Sequence, residues 1–202
     1  MLRDLNTESF LYSLMKEDLA KVIAVLYLLS EHGRLGRYQI SRTLKLGEGV
    51  VRRILKELRE GGFVTSLRGG SSLTSRGKEL LRGLLEELKV KKVMRVDVTR
   101  VVGPGYLGVG VCYRTSSRNI LRIRDEVVRG GAEGALVLEF EGGKLKMPYM
   151  NSEESRVSDF IKSITETFEL SEGDMVVVGF DKEFGKALMG VLRALTTNLA
   201  CS

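Results

Sequence analysis

Between Leu19 and Leu88 the apolar residues keep a helical period in every stretch but one. The exception runs Phe63-Val64-Thr65-Ser66-Leu67, Arg68-Gly69-Gly70-Ser71-Ser72, Leu73-Thr74: strand, glycine-rich turn, strand. Three helices, one hairpin and a fourth helix in so short a span leave few ways to close a single core. The first helix runs from Asp18 to Glu31 with Leu19, Val22, Ile23, Val25, Leu26, Leu28 and Leu29 in a wide stripe, and Gly33 stops it. A short second helix, Arg37 to Leu44, turns Tyr38, Ile40 and Leu44 inward and Arg37, Gln39, Arg42 and Thr43 outward. A tight turn follows at Lys45-Leu46-Gly47-Glu48. In the third helix, Gly49 to Glu60, Val50, Val51, Ile54, Leu55 and Leu58 share one arc of roughly 140°, and Gly49, Arg52, Arg53, Lys56, Arg59 and Glu60 take the opposite side. After the hairpin, Thr74 or Ser75 can cap a helix striped with Leu80, Leu81, Leu84, Leu85 and Leu88.

Charge concentrates on the same segment. Residues 1–92 carry 18 Lys+Arg against 11 Asp+Glu, a net of +7, whereas residues 93–202 carry 14 against 15. From Arg34 to Lys78 eleven bases face three acids. A basic patch alone serves solubility or an anionic lipid equally well. Here the cations sit on one face of a helix whose other face is apolar, with a small residue at its N-terminus. That is what a recognition helix needs in the major groove of double-stranded DNA. The hairpin behind it is then a wing. Arg52 is the best candidate for bidentate contact with guanine, Gln39 for phosphate, and Arg68 on the wing for a flanking minor groove or phosphate. For any one cation a phosphate contact is commoner than base readout.

The run LGRYQISRTLKLGEGVVRRILKELREGGFV, followed after the hairpin by LTSRGKEL, resembles the winged helix-turn-helix of archaeal and bacterial regulators. More narrowly, GRxQIS…LxLGEGxVRxxLxxL, with LRIRDEVVRGGAEGALVLEFEGGKLKMP further on, resembles an uncharacterised archaeal family. That family joins such a domain to a C-terminal domain of unknown function, family 4443. The resemblance implies DNA contacts from Arg37 and Gln39, from Glu48 and Gly49 at the turn, and from Arg52 and Arg53, and it implies no established activity. The basic surface adds Arg42, Lys45, Lys56, Arg59 and Arg68.

A change of period divides the chain into a winged helix-turn-helix domain at 17–90 and an α+β domain at 93–202, with Lys89-Val90-Lys91-Lys92 as a charged joint. Met94, Val96 and Val98 alternate, Gly103-Pro104-Gly105 turns the chain, and Leu107, Val109, Val111 and Tyr113 alternate again. Ile120 to Arg129 reads as helix, Ala135 to Phe140 as strand, Gly142-Gly143 as a turn and Lys144 to Met147 as a returning strand. Ser152 caps a helix that turns Val157, Phe160, Ile161, Ile164 and Phe168 inward; Met175 to Phe180 is a buried strand, and Phe184 to Leu199 a last helix. The order ββαββαβα predicts a two-layer α/β sandwich with its helices on one face.

Two near-motifs fall short of nucleotide binding. Gly103-Pro104-Gly105-Tyr106-Leu107-Gly108 fits G-x-G-x-x-G, but a strand follows it, so no helix N-terminus meets a pyrophosphate. Gly179 to Ala187 lies between strand and helix as a phosphate loop does, yet five residues separate its glycines where the motif has four. Ala187 also stands where a magnesium-binding Ser or Thr belongs. Lys182 and Lys186 remain there as an anion site. The lone histidine, His32, ends the first helix, and Cys112 and Cys201 form neither a disulfide framework nor a metal cluster. No catalytic residues, metal ligands or cofactor sites emerge, and the chain reads as a non-enzyme.

No apolar stretch reaches the roughly 18 residues of a membrane span, and acids interrupt MLRDLNTESFLYSLMKEDL where a signal peptide needs an apolar run. The expectation is a cytoplasmic DNA-binding transcriptional regulator acting as a homodimer. Its C-terminal domain either senses a small-molecule effector or assembles subunits, and the helix Glu79 to Leu88 packs on its own domain or forms a dimer seam. The alternative is an enzyme or RNA-associated factor that uses the winged helix as an adaptor.

Overall fold

The computed structural model describes residues 18–115, 119–148, 150 and 154–199, and the chain divides into two compact units that meet at Glu87 and Leu88. The first unit comprises α1 (Leu19–His32), α2 (Arg37–Leu44), α3 (Glu48–Glu60), β1 (Val64–Leu67), β2 (Gly70–Leu73) and α4 (Ser75–Glu87). α1 is buried at Ala20 and from Val22 through Leu29, because α2, α3, α4 and β2 all pack on it. A helix apolar nearly all round needs such a central place. α3 buries Val51, Ile54, Leu55 and Leu58, and α4 buries Leu80, Leu81 and Leu84, matching the spacing. Leu80, Leu81 and Leu84 thus face their own unit, and Leu85 is half-buried.

Thr74 links the hairpin to α4. Its hydroxyl oxygen accepts from the Gly77 N–H at 3.1 Å and donates to the Gly62 carbonyl at 2.7 Å. A Thr74→Val chain keeps the shape and loses both bonds, so it should be less stable by about 1–2 kcal/mol in urea unfolding.

The second unit comprises β3 (Val90–Val96), β4 (Leu107–Arg114), α5 (Ile120–Arg129), β5 (Gly134–Glu141), β6 (Lys144–Lys146), α6 (Ser155–Thr167), β7 (Asp174–Asp181) and α7 (Phe184–Leu199). Its five strands lie in the order β3-β4-β7-β5-β6, and every neighbouring pair is antiparallel. β7 is central, buried without interruption from Asp174 to Gly179, so both of its faces are covered. On one face Val176 and Val178 join Cys112, Leu138, Val157, Phe160, Ile164 and Phe168 in a core under α6. On the other, a Cβ at Gly179 would lie 2.5 Å from Val191 Cγ2 and 3.3 Å from Val127 Cγ1, the inner sides of α7 and α5.

This corrects the two-layer expectation. α5 and α7 cover one face and α6 the other, so the unit has three layers. Residues 89–92 are not a bare joint either, because β3 begins at Val90. Lys91 pairs there with the buried Asp174 carboxylate, which also receives the Ser171 N–H at 2.7 Å and lies 3.6 Å from Arg114 Nε. A buried carboxylate needs such cations, and this one explains a lysine inside a strand. The Ser152 cap falls outside the described residues, and α6 begins after Glu154. Gly103-Pro104-Gly105 lies in the connection between β3 and β4, with no helix after it.

Candidate nucleic-acid interface

α2 and α3 are joined by a turn that Ser41 pins. Its hydroxyl donates to the Leu46 carbonyl at 2.6 Å, its carbonyl accepts the Leu46 N–H at 3.1 Å, and Lys45 takes the left-handed conformation at φ 55°. Sequence reading passed over Ser41, although a small hydroxyl residue before a tight turn is the signal for such a lock. α3 follows with Gly47 as its N-cap and no side-chain hydrogen bond there. The Val50 N–H is taken by the Gly47 carbonyl at 3.0 Å, which leaves the N–H groups of Glu48 and Gly49 for an outside acceptor.

Arg52, Arg53, Lys56 and Arg59 are all exposed on α3, and so are Glu48 and Gly49. A Cβ at Gly49 would meet nothing within 4 Å, so the first turn is open to close approach. Lys56 makes an ion pair with Glu60 at 3.8 Å with both side chains in solvent, a contact too weak to hold it from another anion. Arg42, Lys45 and Gln39 are exposed on α2 and the turn. Gln39 also has a structural task, its Oε1 accepting the Gly36 N–H at 2.8 Å.

Two placements differ from expectation. Tyr38 is 63% exposed rather than inward, since Ile40 and Leu44 suffice to seat this two-turn helix. Arg37 is half-buried, its guanidinium 4.9 Å from the Tyr38 ring centre, and its buried Nε meets no acceptor among the described residues. Periodicity missed the outward aromatic because Tyr38 follows a cation on a helix of only eight residues.

The hairpin stands beside this helix pair on a fixed base. Leu35 and Ser71 bridge in both directions, Leu35 N–H to Ser71 O at 3.1 Å and Ser71 N–H to Leu35 O at 2.8 Å. The approach is so close that a Cβ at Gly70 would sit 2.5 Å from the Leu35 carbonyl. Arg68 and Leu67 are left exposed at the tip, and the Arg34 guanidinium reaches the Arg68 carbonyl at 3.5 Å.

In the second unit Lys182 and Lys186 each have another neighbour. Lys182 lies 5.7 Å from the Tyr106 ring centre, and Lys186 pairs with Glu183 at 3.5 Å. The buried Asp181 carboxylate accepts the Glu183 N–H at 2.9 Å, so acids already sit at the start of α7. A cleft of about 330 Å³ opens elsewhere, along β5 and the start of α5, with Leu136, Met147, Phe180 and Arg124 in its wall. The Cys112 thiol is pushed up to about 11, chiefly by burial and then by the Asp174 charge, and supplies no thiolate at neutral pH. The neighbouring Tyr113 hydroxyl is also pushed upward, by burial and then by Glu126. Among the described residues no group of His, Cys, Asp and Glu could hold a metal ion, and no helix is long and apolar enough to cross a membrane.

Comparison with known proteins extends over both units. Residues 18–79 match the family model "PH0730-like, N-terminal domain", and residues 109–199 match "Domain of unknown function (DUF4443)". No curated protein matches the chain. The solved structure of a hypothetical protein, PH0730 from Pyrococcus horikoshii OT3, is similar at a TM-score of 0.69 and 26% identity, covering 88% of this chain and 90% of its own. The chain is thus similar, in both of its units, to domains whose descriptions name no activity.

Proposed function

We propose that this chain is a DNA-binding transcriptional regulator whose first unit is a winged helix, with α3 as the recognition helix and the β1–β2 hairpin as the wing. The observation that carries the reading is α3 itself. Its outward face presents four exposed cations, its N-terminus has no side-chain cap, and its place is set by a pinned turn on one side and a pinned hairpin on the other. Phosphates would meet Arg42, Lys45, Arg53, Lys56 and Arg59, with Arg52 and the open first turn at Gly49 facing base edges and Arg68 at the wing tip. The second unit pairs two such readers, since one winged helix covers a short footprint. The cleft along β5 is of the size that takes a small effector.

Titrating the full chain against a labelled random duplex of about 25 base pairs, at several salt concentrations, tests this. Duplex binding whose affinity falls linearly on a log–log plot with salt is the expected outcome. An absence of duplex binding at low salt overturns it. Parallel titrations with duplex RNA separate a DNA regulator from an RNA adaptor, which would prefer the A-form helix.

A further inference from the structure

We infer that the outward face of α5 is the surface on which two copies of this chain pair. α5 turns Ile123, Glu126 and Val127 inward, and at about 100° per residue the opposite side of the helix carries Leu121, Arg124, Asp125 and Val128. A solvated helix puts polar side chains at the point furthest from its core. α5 instead puts Leu121 there, 54% exposed, and Val128, 43% exposed. Between them stand one cation and one anion, both exposed, and neither has a partner among the described residues. The neighbouring Arg122, by contrast, is matched with Glu126 at 3.0 Å.

The occupant follows from the order of these four residues. When two α5 helices run antiparallel about a two-fold axis between residues 124 and 125, Leu121 meets the partner copy's Val128 and Arg124 meets its Asp125, each contact occurring twice. A stripe reading apolar, plus, minus, apolar is its own complement in that arrangement, as an isologous interface demands. A different protein would place no such condition on it. The surface is also rigidly held. Asn119 caps α5 by accepting the Arg122 N–H at 3.0 Å, and Arg193 of α7 donates to the Gly130 carbonyl at its other end at 3.0 Å. Leu121 and Arg124 continue into the wall of the cleft along β5, which extends the surface beyond one helix. This seam gives a location to the pairing proposed above and places it on α5 rather than on α4, where Leu80, Leu81 and Leu84 are buried in their own unit.

Sedimentation of the full chain without nucleic acid tests it, so pairing and duplex binding fail separately. The unmodified chain should sediment at two-chain mass at micromolar concentration. Arg124→Asp alone brings four acids together at the axis, and Asp125→Arg alone four cations, so each should weaken the dimer at least about tenfold. The double variant Arg124→Asp/Asp125→Arg should recover it. An equimolar mixture of the two single variants should also recover it, as a heterodimer. Leu121→Glu should dissociate the dimer while keeping the parent's far-UV circular dichroism spectrum. A monomeric unmodified chain, single variants that pair as well as the parent, or a mixture that fails to recover would each overturn the assignment.

Discussion

Replacing Arg52, Arg53 and Lys56 together by alanine is expected to weaken duplex binding by about 100-fold and, through the two phosphate contacts of Arg53 and Lys56, to lower the salt slope by about 2 units. All three side chains are exposed on one face of α3, and each phosphate that Arg53 and Lys56 neutralise releases close to one counterion. The fold should survive the change. Alanine is the strongest helix former, the α3 core of Val51, Ile54, Leu55 and Leu58 is untouched, and the Lys56–Glu60 pair that is lost is solvent-exposed and contributes at most about 0.5 kcal/mol. Fluorescence anisotropy over a series of salt concentrations reads both quantities, with circular dichroism reporting the fold. Arg156→Ala, a comparable loss of one exposed cation on the other unit, should leave binding unchanged. If the triple variant binds with the parent's affinity and slope, α3 does not face the duplex.

Gly190→Leu is expected to destabilise the second unit by about 3 kcal/mol, raising amide exchange in β7 and α7 by roughly 100-fold while α1 keeps its protection. α7 and α5 cross at Gly190 and Gly130. A Cβ at Gly190 would lie 2.6 Å from the Ala132 Cβ and 2.8 Å from the Val127 carbonyl oxygen, and one at Gly130 would lie 2.6 Å from the Gly190 carbonyl oxygen. Much of what surrounds that point is backbone, which cannot rotate away, so the helices must part. Parting them also uncovers Val177 and Gly179 of the central strand. Hydrogen exchange identical to the parent would mean that the two helices are not in that contact. Because α5 carries the proposed pairing surface, the same variant should weaken the dimer, whereas Leu121→Glu should do so with the contact between α5 and α7 intact.

How far each element could be read locally follows from where its determinants lie. α3 was legible because Val51, Ile54, Leu55 and Leu58 recur at helical spacing and glycines bracket the segment. Its cationic face was then a matter of geometry, since side chains opposite a buried arc must point out. The β1–β2 hairpin was legible from Arg68-Gly69-Gly70, where φ values of 96° and 146° at the two glycines suit no other residue well. Tyr38 was misread because eight residues give too few turns to define a face. Lys91 was misread because the reason for a charge inside a strand, Asp174, lies more than eighty residues away.

The kinds of element, their order, the apolar side of each long one and the concentration of cations on α3 depend on neighbours a few positions apart and are legible in the chain. That β7 enters between β4 and β5, that helices cover both faces of the sheet, and that α5 is left with Leu121 and Val128 in solvent are visible in the folded unit alone. Strand order and what covers a face are settled by contacts between distant segments, and the period of a side-chain pattern says which side is apolar but not what will meet it.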